Sequence, residues 1–207
     1  MKSKTPQRSK QAQLEIEVKL RIRNLQRLRG DLLELGCKET VPRSLERNCT
    51  WDFPGQPLRR QGKLLRVREF AGHCLLTFKG AAQESRHFKI REERETEVQD
   101  PETLGVILGR LGLEVFFRYE KYRTIYSLRL RGRGRSVDLS VDETPIGNYL
   151  EIEGTEADIH RVAEKLGFEE GAFIKESYLA LFAKSRLHKG QRDMVFSKFV
   201  KAKRRRV

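Results

Sequence analysis

Seven stretches of this chain alternate between apolar and polar residues with a period of two, and their polar side is ionisable rather than neutral. In residues 14–23, Leu14, Ile16, Val18, Leu20 and Ile22 share one face, and Glu15, Glu17, Lys19, Arg21 and Arg23 share the other. A repeat of two is that of a β-strand. Arg66 and Arg68 share a face in 64–69, as do Leu75, Thr77 and Lys79 in 74–79. The odd positions of 87–98 are His87, Lys89, Arg91, Glu93, Glu95 and Glu97. Lys121 and Arg123 follow, and 125–142 reads as a hairpin around Gly132-Arg133-Gly134. Its apolar face is Leu128, Leu130, Val137, Leu139 and Val141, against Arg129, Arg131, Asp138, Ser140 and Asp142. Last, Leu150 and Ile152 alternate with Glu151 and Glu153.

One wetted sheet face would account for any single strand. It does not account for all of them together. Glutamate is a poor strand former, yet Glu-x-Glu strands recur at 14–19, 94–98 and 149–154. Like charges two residues apart on one face repel unless opposite charges stand between them. A closed barrel with a charged interior and an apolar outside covered by helices satisfies every strand, and closure removes exposed edges. The basic sector of such a lumen is Lys19, Arg66, Arg68, Lys79, Arg91, Lys121 and Arg123; the acidic sector is Glu15, Glu17, Glu95, Glu97, Asp142, Glu151 and Glu153. The cations suit a chain of phosphates through charge-assisted hydrogen bonds. Carboxylates without His or Cys suit Mg²⁺ or Mn²⁺. Together they make the apparatus of phosphoryl or nucleotidyl transfer.

Helices fall between the strands. Asn24 caps one that runs to Leu35 and stops at Gly36. Asp100 followed by Pro101 opens another that ends at Gly112, and Thr155 with Asp158 resembles a capping box for a third, which Gly167 ends. A last helix is expected over about 175–185. The Trp51-Asp52-Phe53-Pro54 segment reads as structural.

Charge bears on partners only after it is divided. Residues 1–13 carry four basic and no acidic side chains, and residues 188–207 carry eight basic and one acidic. That leaves the body, 14–187, near +3 of the formal net charge of +14. The expected organisation is a basic arm, 1–13, a tunnel domain, 14–187, and a basic tail, 188–207. The tails read first as solvated, disordered segments, with contact to nucleic acid or another polyanion, or a targeting signal, as the alternative. Met194, Val195, Phe196, Phe199 and Val200 are the tail's apolar set. No apolar run approaches the length of a membrane-spanning helix, and no apolar stretch follows the basic start, so neither a membrane span nor a secretory signal is expected. Cys37, Cys49 and Cys74 form no CxxC and fit a reducing, cytoplasmic setting. The chain is expected to be a monomer or homodimer.

Taken in order, the motifs resemble those of the CYTH superfamily, which groups class IV adenylate cyclases, thiamine triphosphatases and related triphosphate tunnel metalloenzymes. LEIEVK at 14–19 resembles its ExExK signature, LLRVRE at 64–69 its LRxR strand, LTFKG at 76–80 its TxKG strand and IREERETEV at 90–98 its RxExE strand. YEKYRTIY at 119–126, VDETPIGNYLEIEG at 141–154 and ESYLALF at 176–182 are similar to its KxRxxY, closing acidic and SYxxLL segments. The resemblance covers about 14–187. It implies an α+β fold: an eight-stranded antiparallel β-barrel tunnel, helices packed outside, with a triphosphate threaded through the lumen. Lys19, Arg66, Arg68, Lys79, Lys121 and Arg123 would clamp phosphate oxygens. Glu15, Glu17, Glu151 and Glu153 would hold divalent metal, with Glu95, Glu97 and Asp142 contributing metal or water contacts. Lys19, Glu17, Glu97 and Asp142 are the candidates for the chemical step. Leu64 stands where thiamine triphosphatases carry an aromatic, which turns the expectation away from thiamine, and Tyr149 replaces a family Phe. The expected activity is metal-dependent hydrolysis of inorganic or nucleoside triphosphate. The alternatives are a class IV adenylate cyclase and a non-catalytic polyphosphate-binding module.

Overall fold

The alternating segments pair into antiparallel strands in the computed structural model, which describes residues 13–130 and 136–197. In chain order the elements are β1 (Gln13–Ile22), α1 (Leu25–Glu34), β2 (Lys38–Asp52), α2 (Pro57–Arg60), β3 (Leu64–Phe70), β4 (His73–Lys79), β5 (Lys89–Glu97) and α3 (Pro101–Arg110). Then come β6 (Glu114–Arg129), β7 (Ser136–Thr144), β8 (Gly147–Glu153), α4 (Glu156–Lys165) and α5 (Tyr178–Lys184), with single 3₁₀ turns at Glu170–Ala172 and Arg186–His188. The strands close in the order β1-β5-β4-β3-β2-β6-β7-β8, and β8 bonds back to β1. The α+β fold expected from the sequence, a closed eight-stranded antiparallel barrel with helices against its wall, is the fold observed.

Local chemistry explains most of the boundaries. The β3–β4 hairpin turns through Ala71 and Gly72, at φ 50° and 83°, between the paired Phe70 and His73. Positive φ at both central residues matches the twist of a two-residue hairpin. The Asn24 side chain accepts the Arg27 N–H at 3.0 Å, and the Asp100 carboxylate accepts the Thr103 N–H at 2.9 Å. Thr155 Oγ1 accepts the Asp158 N–H and donates to its carboxylate at 2.7 Å. All three helices therefore begin where their caps place them.

The apolar faces of β1, β6, β7 and β8 point outwards. Val18, Leu20, Val137, Leu139, Val141, Leu150 and Ile152 pack there against Leu28 and Leu32 of α1 and Ile159 and Val162 of α4. Each such side chain contributes about 1.5–3 kcal/mol when fully buried. A second cluster joins Phe117, Tyr119 and Tyr149 to Tyr178 and Phe182 of α5 and to Met194. Tyr119 and Tyr149 lie in register with the charged lumen positions of their own strands, so α5 plugs one end of the barrel.

The structure departs from the sequence reading in four places. Strand β2 was not among the alternating stretches. It carries Pro42 and three register shifts against β6, so its burial pattern loses the period of two. The last helix starts at Tyr178, capped by Ser177, and not near 175. Upstream, Ile174 makes a two-way backbone bridge to Lys19 at 3.1 and 2.8 Å, filling the edge that β1 exposes once its pairing with β5 ends at Glu17. His87 precedes β5, where its ring meets Glu170 at 3.2 Å. Finally, the stretch from 188, assigned to a basic tail, is docked as far as it is described. Met194 N donates to Arg118 O and Met194 O accepts from Glu120 N, both at 2.9 Å, and the Met194 side chain is fully buried. Strand β7 covers β6 only from Tyr122 to Arg129, and the strap at 192–196 takes the edge left open. The hairpin tip at Gly132-Arg133-Gly134 and residues 198–207, with Phe199 and Val200, lie outside the described residues, as does the arm to residue 12.

Candidate active site

Strand register brings the charged faces together. Glu15 stands opposite Arg91, Glu17 opposite Lys89 and Glu153, and Lys19 opposite Glu151. Lys79 faces Glu93, Arg66 faces Thr77, and Thr77 faces Glu95. Lys121 faces Glu46, and Arg123 faces Asp142. All of these but Thr77, Glu46 and Asp142 line a cavity of about 290 Å³. Of the residues singled out from sequence, Glu15, Glu17, Lys19, Arg66, Arg68, Lys79, Arg91, Glu95, Lys121, Arg123, Glu151 and Glu153 all line it.

Two do not. Glu97 sits at the rim, its side chain 64% exposed and hydrogen-bonded to His73 Nδ1 at 2.8 Å. Strand β5 pairs it with Leu75, beyond the last polar lumen position of β4. Asp142 is fully buried at the end of the lumen that α5 closes, on the same face of β7 as Asp138 and Ser140, which line the cavity. Its carboxylate accepts from Lys121 Nζ at 2.9 Å, from Arg123 Nε and Nη2 at 2.6 Å, and from the Tyr178 hydroxyl at 2.6 Å. It aims two lumen cations, Lys121 and Arg123.

The sequence reading gave no site role to several lining or supporting groups. Lys89 and Glu93 were recognised on the charged face of β5, and both line the cavity. Tyr119 and Tyr178 also line it; Tyr119 O–H lies 3.3 Å from Arg66 Nη1, and Lys19 and Lys121 stand 4.7 and 4.9 Å from the centre of the Tyr178 ring. Glu46, fully buried, underlies Lys121 at 3.3 Å and Arg123 at 3.7 Å. Its signal was the polar series Ser44, Glu46, Asn48, Thr50 and Asp52, which was masked because the intervening residues include Arg47.

The carboxylates fall into two electrostatic classes. Burial alone would raise Glu17, but Lys89, Lys19 and Lys79 outweigh it and hold Glu17 well below the usual range. Burial is likewise overcome at Glu151 by Lys19, Lys121 and Arg123. At Glu46 the same contest, with Lys121 and Arg123 leading the cations, ends at about 2. Glu153 goes the other way. Burial first, then the charges of Glu15, Glu17 and Glu93, push it up to about 7. Burial and Glu17 also raise Glu15, although Lys79 lies 2.6 Å away.

That second class is the test of whether a divalent cation fits. Among the described residues no three His, Cys, Asp or Glu side chains stand already converged as a metal cage. The carboxylates instead hold lumen cations: Lys19–Glu151 at 2.9 Å, Lys79–Glu93 at 3.1 Å, Arg68–Glu95 at 2.8 Å, and closely made Lys89–Glu17 and Arg123–Glu151 pairs. The donors are all oxygen, and around Glu15 and Glu153 they carry more negative charge than their neighbours offset. A hard dication fits that chemistry, and Glu15, Glu17, Glu151 and Glu153 could hold it.

A family model described as the CYTH domain matches residues 13–178. A candidate adenylate cyclase of Methanocaldococcus jannaschii is 25% identical over 179 residues, which is 81% of this chain and 98% of the relative. The solved PH1012 protein of Pyrococcus horikoshii is 30% identical and superimposes with a TM-score of 0.64, over 81% of this chain and 98% of that one. A candidate adenylyl cyclase from Hippeastrum, described as having a dominant triphosphatase activity, shares the fold at a TM-score of 0.60 and 21% identity, over 82% of this chain and 95% of its own.

Proposed function

Because this chain belongs to the CYTH domain family, we propose that it is a divalent-metal-dependent triphosphatase that takes inorganic or nucleoside triphosphate into its lumen. The observation that carries the reading is the convergence of Lys19, Arg66, Arg68, Lys79, Arg91, Lys121 and Arg123 on one cavity that Glu15, Glu17, Glu151 and Glu153 also line. In the free protein most of the bases are paired with carboxylates, and an excess of negative charge remains around Glu15 and Glu153. A phosphate chain takes over the Lys and Arg donors through charge-assisted hydrogen bonds, which frees the carboxylates. Mg²⁺ or Mn²⁺, when bound, neutralises phosphate charge and acidifies water. Lys19 and Arg123 bind the oxygens that gain charge as the terminal phosphoryl group leaves, and Glu17 orients the metal-binding face. Asp142 and Glu46 keep Lys121 and Arg123 aimed. Glu97, at the rim, takes no part in the chemical step.

Purified protein with Mg²⁺ or Mn²⁺ is expected to release phosphate from triphosphate, and Glu17→Gln or Lys19→Ala is expected to abolish release. Release that survives both changes, or that needs no metal, refutes the reading. A class IV adenylate cyclase would use the same clamp with the ribose 3′-hydroxyl as nucleophile, and the description of the M. jannaschii relative favours keeping it. Cyclic AMP and pyrophosphate from ATP, instead of ADP and phosphate, decide for the cyclase. A purely anion-binding module gains nothing from buried glutamates that compete for its cations.

A further inference from the structure

Helix α3 is apolar on two sides. Its inner side, Leu104, Gly105 and Leu108, meets the barrel wall: Leu108 is buried, and a Cβ built at Gly105 would lie 4.0 Å from the Trp51 ring. Its outer side carries Val106, 62% exposed, Ile107, 50% exposed, and the C-capping Leu111, 64% exposed. These are three of the seven large apolar side chains exposed among the described residues, gathered on one short helix. Apolar residues scattered singly are ordinary on a surface. A contiguous set on a helix that already buries its other side marks a contact face.

The order of the outer residues selects the partner. They fall into two rows at i, i+4 and i+8: Glu102, Val106 and Arg110 form one, and Thr103, Ile107 and Leu111 the other. Such rows are the ridges that interdigitate when two helices cross at about −50°. Thr103 commits its hydroxyl to Asp100 at 2.6 Å, so the second row offers a partner no unsatisfied polar group. The first row is its own complement, an acid and a base on either side of Val106. Among the described residues, neither Glu102 nor Arg110 forms an ion pair within the chain. Turned about a two-fold axis through Val106, the row sets each Glu102 against Arg110 of the second copy. The same rotation lays each helix N-terminus beside the other's C-terminus, the favourable sense for the helix dipoles. A membrane surface is the poorer fit, because Glu102 lies within the face. We infer that α3 is the contact face of a homodimer, in which two copies pack this helix antiparallel about Val106. The inference does not depend on what the lumen binds. A helix of 10 residues is about 15 Å long, so the contact is smaller than a standard interface and the dimer is a weak one, dissociating in the micromolar range.

Sedimentation velocity of the full chain, from about 1 to about 500 µM, tests this. The mass should rise from 24.2 kDa towards twice that and no further, because a two-fold contact closes on itself. Val106→Glu brings like charges together at the axis and should raise the dissociation constant by about tenfold or more, while the unfolding midpoint of the monomer at the lowest concentration stays unchanged. Glu102→Arg and Arg110→Glu should each weaken the dimer several-fold, and the two together should restore it. A chain that stays monomeric at the highest concentration overturns the inference; its co-sedimentation with phosphatidylserine vesicles, lost in Val106→Glu, would assign the face to a membrane instead. A dimer indifferent to Val106→Glu overturns it as well, and so does one that the charge exchange fails to restore.

Discussion

Glu46→Gln tests whether the buried charge ladder stabilises this barrel or only costs it energy. The native carboxylate is fully buried, accepts from Asn48 Nδ2 at 2.9 Å, and lies beneath Lys121 and Arg123. Glutamine keeps the shape and can still accept from Asn48, so the substitution removes charge and little else. Lowering Glu46 from 4.5 to about 2 corresponds to about 3 kcal/mol of preference for the ionised form in the folded state, at about 1.4 kcal/mol per unit. Because the folded value is the depressed one, this stabilisation is fully present above about pH 4.5 and is lost as pH falls towards 2. For a chain of this size, 3 kcal/mol is about 6–12 °C in Tm. Urea midpoints of wild type and variant, measured from pH 7 down to pH 3, should show a gap of that order at neutral pH that narrows steadily below pH 4.5. A gap near zero at pH 7 would mean that desolvation cancels the attraction, as it does at some buried ion pairs, and would refute the argument. So would a gap that does not change with pH.

The other expectations follow from single contacts. Tyr178→Phe removes the hydroxyl that donates to Asp142 while keeping the ring between Lys19 and Lys121; denaturant unfolding should show a loss of about 1.5–3 kcal/mol, the range for a hydrogen bond to a charged group. Met194→Ala hollows the cluster that fastens the 192–196 strap to β6, and the same assay should record about 2–5 kcal/mol of destabilisation. Glu97→Gln should leave phosphate release at the wild-type rate, because this side chain lies at the rim, whereas Glu17→Gln should abolish it; equal losses in a phosphate-release assay would return Glu97 to the chemical step.

The barrel was legible from sequence because alternation is a local property that survives in each strand taken alone. Glu15, Glu17 and Lys19 declare their shared face through Leu14, Ile16 and Val18 between them, whatever lies across the sheet. Strand β2 was not legible. Its outward positions include Arg47, so the contrast between faces that marks a strand is missing. The strap was hidden for a related reason. Met194 and Phe196 lie in a basic stretch whose partner, the uncovered edge of β6, exists only once β7 has paired further along that strand.

Spacing and residue type alone established that acids and bases share strand faces, that these faces outnumber what one wetted sheet would need, and that the apolar faces require helices outside. Which acid meets which base was decided by closure of the barrel. Register between strands far apart in the chain puts Glu95 in the lumen and Glu97 at its rim, sets Asp142 against Lys121 and Arg123 at the closed end, and slides Glu46 under the same pair. A period of two assigns a side chain to a face; its depth along the tunnel depends on the stagger of neighbouring strands, which hydrogen bonding across the sheet sets and no local segment encodes.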